Sequence, residues 1–455
     1  MNCKVFVGIV ASFALVCSHI AAQSPADLAA LRGLAPVTVL SNTNTGKSAL
    51  AANFTVTGGI QSGAISQPTL LPFAVQQQQA LKDAFITDKN LAQLADGLGT
   101  TLGSAYIARF HYIDQSKTSN MPASIAELIA YADGVTGAHS NEGKYLFANE
   151  TTDGKTPVSP AAAAVITERG GTQDIFGKAY GLAAGMSGGN VYGNSRPFQT
   201  ELTVTRFVGL DYLNTPSGND VYNRGPAMNL LNSPSYPSGH TTYGFTGALL
   251  LAILVPERYG QMIDRGAEYG NDRVIVGSHY VMDVLGGRTL ALYDMAHLLA
   301  NDPAYMGLSV RGAIPIKDFQ AAVKDARAEL SSILQASCGN LLQVCAEEDT
   351  SRFNNVAAND TFYEATQTYN LPAVYPRNAN HIEDVSKVAP EAGNLLTIAF
   401  PFLTLDEADK ILTETEGPGG GFLDDGSAFG VYSRLDLVAA ARLAKQTLLP
   451  KNANP

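Results

Sequence analysis

The sequence predicts an all-α protein with a sizeable buried core, and three observations carry that prediction. Runs that alternate apolar and polar residues, the mark of a half-buried strand, are scarce. Several segments instead repeat apolar residues at helical spacing. Across 455 residues, 45% are apolar and only 16% charged, a balance that packs a core and does not describe a disordered chain. The formal charge of −11 argues against nucleic acid as a partner, because phosphate backbones select basic surfaces. A local cationic pocket is compatible with an acidic protein.

Taken in order, residues 1–22 read as an export signal. Lys4 supplies the positive start, residues 5–20 are apolar, and Ala21 and Ala22 offer small residues for cleavage before Gln23. Its removal leaves a charge of about −12, since Lys4 goes and no acid does. Residues 24–75, rich in Ser, Thr, Asn, Gly and Ala, are expected to form an irregular arm. Segments 76–98, 102–112, 123–132 and 160–168 read as helices. Segment 244–255 is apolar throughout but too short to span a bilayer, and suits a buried core helix. No span is therefore expected once the signal is removed. Residues 318–336 form an amphipathic helix with Phe319, Ala322, Val323, Ala326, Leu330 and Leu334 on one face and Asp318 as its N-cap. Two further helices are predicted at 405–414 and 432–449, with 417–421 a flexible glycine loop between them.

Cys338 and Cys345 are the two cysteines that remain after the signal. In an exported chain such a pair favours a disulfide over a metal site, as two thiols without nearby His cannot complete a zinc shell. Seven residues apart on an unbroken helix they would lie about 10 Å apart along the axis, beyond disulfide reach. A bond requires a turn, and Gly339-Asn340 is the place for it.

Two familiar patterns carry no chemistry. Gly46-Lys47-Ser48 lacks the glycine a phosphate loop needs five residues earlier, where Ser41 stands. Gly185-Met186-Ser187-Gly188-Gly189 matches a nucleophile elbow in letters, but residues 179–184 before it have no strand character.

The informative stretch is 196–283. Arg196-Pro197 is followed by Pro237-Ser238-Gly239-His240-Thr241, then Arg273, His279 and Asp283. Cleaving a phosphate ester requires fixed donors for the equatorial oxygens, a nucleophile and a proton donor. Arg196 and Arg273 offer guanidinium forks. Ser238 and Gly239, at the start of the helix that runs to Val255, offer a hydroxyl and backbone N–H groups. His279 and Asp283, spaced i, i+4, share a helical face, so the carboxylate can fix the imidazole tautomer and leave the other nitrogen to attack phosphorus. His240 is placed to protonate the leaving oxygen. Nothing in this scheme needs a metal, and no cluster of ligands stands out. His111, His139, His297 and His381 lack such company and read as structural or surface residues.

The joint pattern R-P, P-S-G-H-T and R-x5-H-x3-D resembles the signature of the type 2 phosphatidic acid phosphatase superfamily. It is most similar to the soluble bacterial class A acid phosphatases, and vanadium haloperoxidases share the pocket. The resemblance implies a helical bundle of the phosphatase/haloperoxidase type with N- and C-terminal extensions. It implies a nucleophilic histidine at His279 that becomes phosphohistidine, a general acid at His240, a supporting aspartate at Asp283, and phosphate binding by Arg196, Arg273 and the loop at Ser238 and Gly239. The implied plan is a signal peptide at 1–22, an N-terminal arm and helical region packing on the core at 23–159, a catalytic core at 160–300 and a helical extension at 301–455. The implied function is an exported, periplasmic or extracellular phosphomonoesterase without a cofactor, acting on a small phosphate ester or a phospholipid-derived substrate. Vanadate would be an inhibitor, or the cofactor if the chain is a haloperoxidase. A catalytically weak phosphate-binding protein is the third reading.

The chain departs from the pattern twice. The family's first motif is K-x6-R-P, and Gly189 stands at the lysine position. Lys178 would lie about 27 Å from Arg196 along a continuous helix and could serve only if the glycines between them fold the chain back. Asp272 replaces the serine before the second arginine and is expected to point away from the phosphate.

Overall fold

The computed structural model describes residues 23–65, 69–85, 90–171, 194–201, 204–222, 229–231 and 233–448. The export segment, Lys178, the 185–189 motif and Gly189 lie outside them. The described chain is helical, and its strands form only two small antiparallel ribbons, Tyr112–Asp114 with Lys117–Thr118 and Val208–Leu210 with Pro216–Gly218.

The region expected to be an irregular arm is helical instead. Helix α1 (Pro25–Leu34) starts at a capping box in which Ser24 and Asp27 bond each other's backbone N–H groups. Helix α2 (Asn44–Ser62) starts at Thr43, whose hydroxyl accepts from Gly46 N–H, and ends at Gly63 in the left-handed region. Ser24 and Thr43, which suggested loop, are caps. Within α2, buried Asn53 and Thr57 accept hydrogen bonds from the N–H groups of Met282 and Val281 at 3.1 Å each. Polar residues with poor helix propensity are thus held in a helix by what they bond across the core.

The helix expected at 76–98 stops early. Helix α3 (Phe73–Asp83) ends where Asp83 turns onto Arg265, and a 3-10 turn at Ala95–Leu98 brings Asp96 to the same guanidinium. After α4 (Thr100–Arg109), α5 runs over Ala123–Asn149, much longer than the 123–132 expected, and its buried face continues past its glycines to Leu146, Phe147 and Ala148. Helix α6 (Pro160–Glu168) agrees with the prediction.

After the short α7 (Pro197–Thr200), three helices form the centre of the molecule. They are α8 (Gly239–Leu254), α9 (Tyr259–Ile275) and α10 (Val281–Leu299). Helix α8 is buried on every side from His240 to Leu254, packed by α5, α9 and α10, as its apolar composition demands. Gly287 of α10 permits the closest approach, since a Cβ there would lie 2.4 Å from the Ser238 carbonyl oxygen. No helix of the described residues is long and apolar enough to cross a membrane.

Helix α11 (Phe319–Cys338) has its expected N-cap, Asp318, and its expected apolar face against α5. It ends at Gly339 with φ of 75°, and that turn brings Cys338 and Cys345 into a disulfide with Cα atoms 6.4 Å apart. Leu405–Glu414 is a helix with a Thr404/Glu407 capping box, while the last helix is confined to Leu437–Thr447 by the Asp436 cap. Residues 417–421 form a bonded turn. Gly420 N–H donates to Asp424 Oδ2, and the Gly420 carbonyl accepts from Val374 and Tyr375 N–H. One hydrophobic cluster runs from Ala26 to Ala444, so both flanks share the core of the central helices.

Two buried ionic groups tie the flanks down. Arg265, with no exposed surface, is met by Asp83, Asp96 and Glu268, and Arg352 closes the far side of the last two. His139 of α5 bonds Asp27 of α1 at 3.0 Å and Asp294 of α10 at 2.8 Å, which raises its pKa from 6.5 to about 10 against the cost of burial. That raised pKa stabilises the fold fully below about 6.5, and the contribution fades as pH rises through about 10. His139→Ala, which strands buried Asp294 and half-buried Asp27, should cost about 3 kcal/mol at pH 6. The gap in melting temperature from wild type should be widest there and narrow by pH 10; a gap that does not depend on pH would contradict this account.

Candidate active site

The site forms where the N-terminus of α8, the N-terminus of α10 and the segment 194–196 meet. Ser238 is the N-cap of α8, and its hydroxyl accepts from Thr241 N–H at 3.1 Å. Its own N–H donates to the Asp283 carbonyl at 2.9 Å, locking the two helix starts together. A helix start of this kind, with N–H groups in its first turn, favours negative charge.

Arg196 has no exposed surface. Its Nε donates to the Ser233 carbonyl at 2.9 Å, Nη2 to the Pro234 carbonyl at 3.0 Å, and Nη1 to the Ser278 carbonyl at 3.0 Å. These bonds fix the guanidinium, and Nη1 also lies 2.9 Å from His279 Nε2. A guanidinium only donates, so Nε2 presents its lone pair and the imidazole proton belongs on Nδ1. Nδ1 faces Ser235 Oγ at 3.2 Å and Asp283 Oδ2 at 3.4 Å. Ser235 donates to the same carboxylate oxygen, which also accepts Tyr280 N–H at 2.8 Å. His240 stands on the other side, with Nδ1 3.3 Å from His279 Nε2 and the rings inclined at 68°.

His240, His279 and Asp283 are displaced toward their neutral forms. Burial, then Arg273, Arg196 and Lys144, push His240 well below 6.5. Burial, then Arg196, His240 and Lys144, do the same to His279. Burial raises Asp283 from 3.8 to about 7 against the pull of Ser235, the Tyr280 N–H, Arg196 and Lys144.

The residues picked out by sequence therefore converge, with differences in detail. Arg196, His240, His279 and Asp283 are in mutual contact or one bond apart. Arg273 flanks them. It is anchored by Nη2 on the Ala80 carbonyl at 3.2 Å and lies over the Tyr269 ring, with its charge felt by both histidines. The Ser238 hydroxyl is engaged in capping, and Gly239 opens the first turn of α8. Asp272 bonds Gln76 at 2.9 Å and faces Asp83 and Glu268, away from the histidines, as expected. His139 and His297 are structural, and His111 and His381 are at the surface. Among the described residues no group of three His, Cys, Asp or Glu side chains is arranged to hold a metal ion.

Sequence reasoning missed Ser235, although it lies just before the Pro237-Ser238-Gly239-His240 motif. It also missed the wall of the cavity. A cavity of about 180 Å³ opens beside His240 and Gly239, lined from α5 by Thr136, Ser140 and Lys144 and from the following loop by Arg311.

Comparison with known proteins points to the same stretch of chain. Residues 178–300, which carry the whole motif set, match the family model of the PAP2 superfamily. The chain is 45% identical over 69 residues to a non-specific acid phosphatase of Salmonella typhimurium, covering 15% of this chain and 28% of the relative. It is 42% identical over 64 residues to an acid phosphatase of Zymomonas mobilis, covering 14% and 24%. A non-specific acid phosphatase of Providencia stuartii is 42% identical over 72 residues, covering 16% and 29%. The chain thus spans roughly a quarter of the length of these relatives, and the likeness is confined to a local segment.

A pocket of this charge should bind orthophosphate. At 100 times its dissociation constant the ligand should stabilise the fold by about 2.7 kcal/mol, read as a rise in melting temperature. Arg196→Lys keeps the charge but loses the fork, and should reduce that rise; an unchanged rise would remove Arg196 from the site.

Proposed function

We propose that the protein is a metal-independent phosphomonoesterase that works through a phosphohistidine on His279. The observation that carries the reading is the environment of His279: Nε2 is unprotonated against Arg196 and faces His240, while Nδ1 is backed by Ser235 and Asp283. The 3.3 Å contact between the two rings leaves no room for a phosphoryl group, so the rings part as the ester enters. The Nε2 lone pair then forms the N–P bond while the P–O bond to the leaving group breaks, and His240 gives that oxygen its proton. Arg196, Arg273 and the first-turn N–H groups of α8 hold the equatorial oxygens, where charge develops. Asp283 stabilises the cationic imidazole. In the second step His240 takes a proton from water, the hydroxyl oxygen attacks phosphorus, the N–P bond breaks and phosphate leaves.

The substrate in this reading is a small phosphate ester, and vanadate, which copies the five-coordinate phosphorus, is an inhibitor. A place outside the cytoplasm fits the Cys338–Cys345 disulfide, since such bonds persist in oxidising compartments.

Purified protein should hydrolyse an aryl phosphate in the presence of a chelator, and vanadate should block it. His279→Ala should lower kcat by on the order of a thousandfold or more. A requirement for a divalent metal, or activity that survives the loss of His279, would overturn the mechanism. Halide oxidation by vanadate-loaded protein with peroxide would move the assignment to a haloperoxidase. Because His240 is held well below 6.5, its acid form grows as pH falls, so the rate should decline on the alkaline side. His240→Ala should flatten that limb for substrates with poor leaving groups.

A further inference from the structure

We propose that Lys144 of α5 is the third phosphate-binding cation of this site, standing in for the lysine that Gly189 replaces. The inference rests on the phosphatase reading for its substrate, but its geometry is independent of it. Lys144 comes from outside the matched segment, from a helix whose Gly143 neighbour packs on Pro237. A Cβ on Gly239 would lie 2.7 Å from Lys144 Nζ, so the ammonium sits directly against the first residue of α8. A side chain at position 239 would displace it.

The side chain is 7% exposed and lines the cavity shared with His240. No hydrogen bond or ion pair joins its ammonium to another described residue. Ser140 Oγ, one helical turn earlier on α5 and 2% exposed, is also without a partner among the described residues and lines the same cavity. Burying an ammonium without a counter-ion is costly, and a purely structural lysine at this depth would be paired. Here burial, then Arg196 and Arg311, lower its pKa from 10.5 to about 7, opposed only by Asp283. The groups facing it are Arg196, His240 and Tyr243 on α8, Arg273, His279 and Asp283, Arg311 from the loop, and Asp133 on its own helix. An entering phosphate dianion supplies the missing charge, and Lys144 takes up a proton as it binds. Orthophosphate affinity therefore falls as pH rises above about 7.

The test measures the competitive inhibition constant of orthophosphate, and its calorimetric binding in two buffers of different ionisation enthalpy, across pH 6–9. It uses the full chain with Lys144→Met, Lys144→Arg and Lys178→Met. Lys144→Met should weaken orthophosphate about 10–100-fold at pH 6, the range expected for a lost hydrogen bond to a charged group. Lys144→Arg should keep most of the affinity at pH 6 and take up fewer protons than wild type at pH 8, because arginine does not titrate there. This variant decides the matter if the methionine variant does not fold. Lys178→Met should stay within twofold of wild type. Unchanged orthophosphate binding in Lys144→Met, proton uptake in Lys144→Arg equal to that of wild type, or a loss seen with Lys178→Met in its place would overturn the proposal. Lys144-dependent orthophosphate binding in a protein that hydrolyses no ester would uphold it while removing the phosphatase reading.

Discussion

Positive charge buried beyond the negative charge that faces it is the constraint on which the rest of the structure depends. Arg196, Arg273 and Lys144 are 0%, 1% and 7% exposed around two imidazoles. Asp283, the carboxylate beside His279, is already bonded by Ser235 and the Tyr280 N–H. Arg196 tolerates this because three carbonyl oxygens, of Ser233, Pro234 and Ser278, receive its donors. Carbonyls orient a guanidinium without neutralising it. The deficit is therefore left for a ligand, and a tetrahedral dianion has the charge and the acceptor geometry to fill it.

Holding cations this close requires a stiff frame, and the frame draws on the whole chain. Helix α2 caps the start of α10 through Asn53 and Thr57, directly before Asp283. Gly287 lets α10 close on Ser238. His139 ties α5, and with it Lys144, to α1 and α10. The Arg265 group anchors α3, whose Ala80 carbonyl in turn positions Arg273. The two flanks are parts of the site's architecture, which explains why the family match covers a quarter of the chain while the hydrophobic core covers nearly all of the described part.

What could be read from sequence was whatever the chain places close together. His279 and Asp283 lie one helical turn apart, and Ser238 to His240 form a continuous loop-to-helix start, so local spacing reports their geometry. Arg196 and Arg273 were legible through a shared motif. Lys144 was not, because its relation to Gly239 is created by α5 crossing α8, and no local pattern encodes a crossing. The same reason hid Asn53 and Thr57, whose bonding partners are in α10. Residues 24–62 were misread because Ser, Thr and Asn favour caps and loops alike, and only the partner decides which. Residues 84–85 and 90–98 were misread because apolar spacing outweighed two aspartates, Asp83 and Asp96, that turn onto a buried arginine.

The displaced titrations belong to one electrostatic device. Burial favours neutral His240 and His279, brings Lys144 down to about 7 and Asp283 up to about 7. These shifts lower the cost of burying the groups side by side near neutral pH. In the proposed mechanism a phosphate dianion reverses most of these pressures at once. It favours protonated Lys144, which grips the oxygens, and protonated His240, which is the form able to supply a proton. The resulting imidazolium at His279, once bonded to phosphorus, in turn favours the ionised form of Asp283. Binding and activation are then the same event, with the ligand's charge producing the protonation state that its own cleavage needs. Low pH assists by supplying those protons in advance, so an acid preference follows from burial of the pocket's cations and requires no separate sensor.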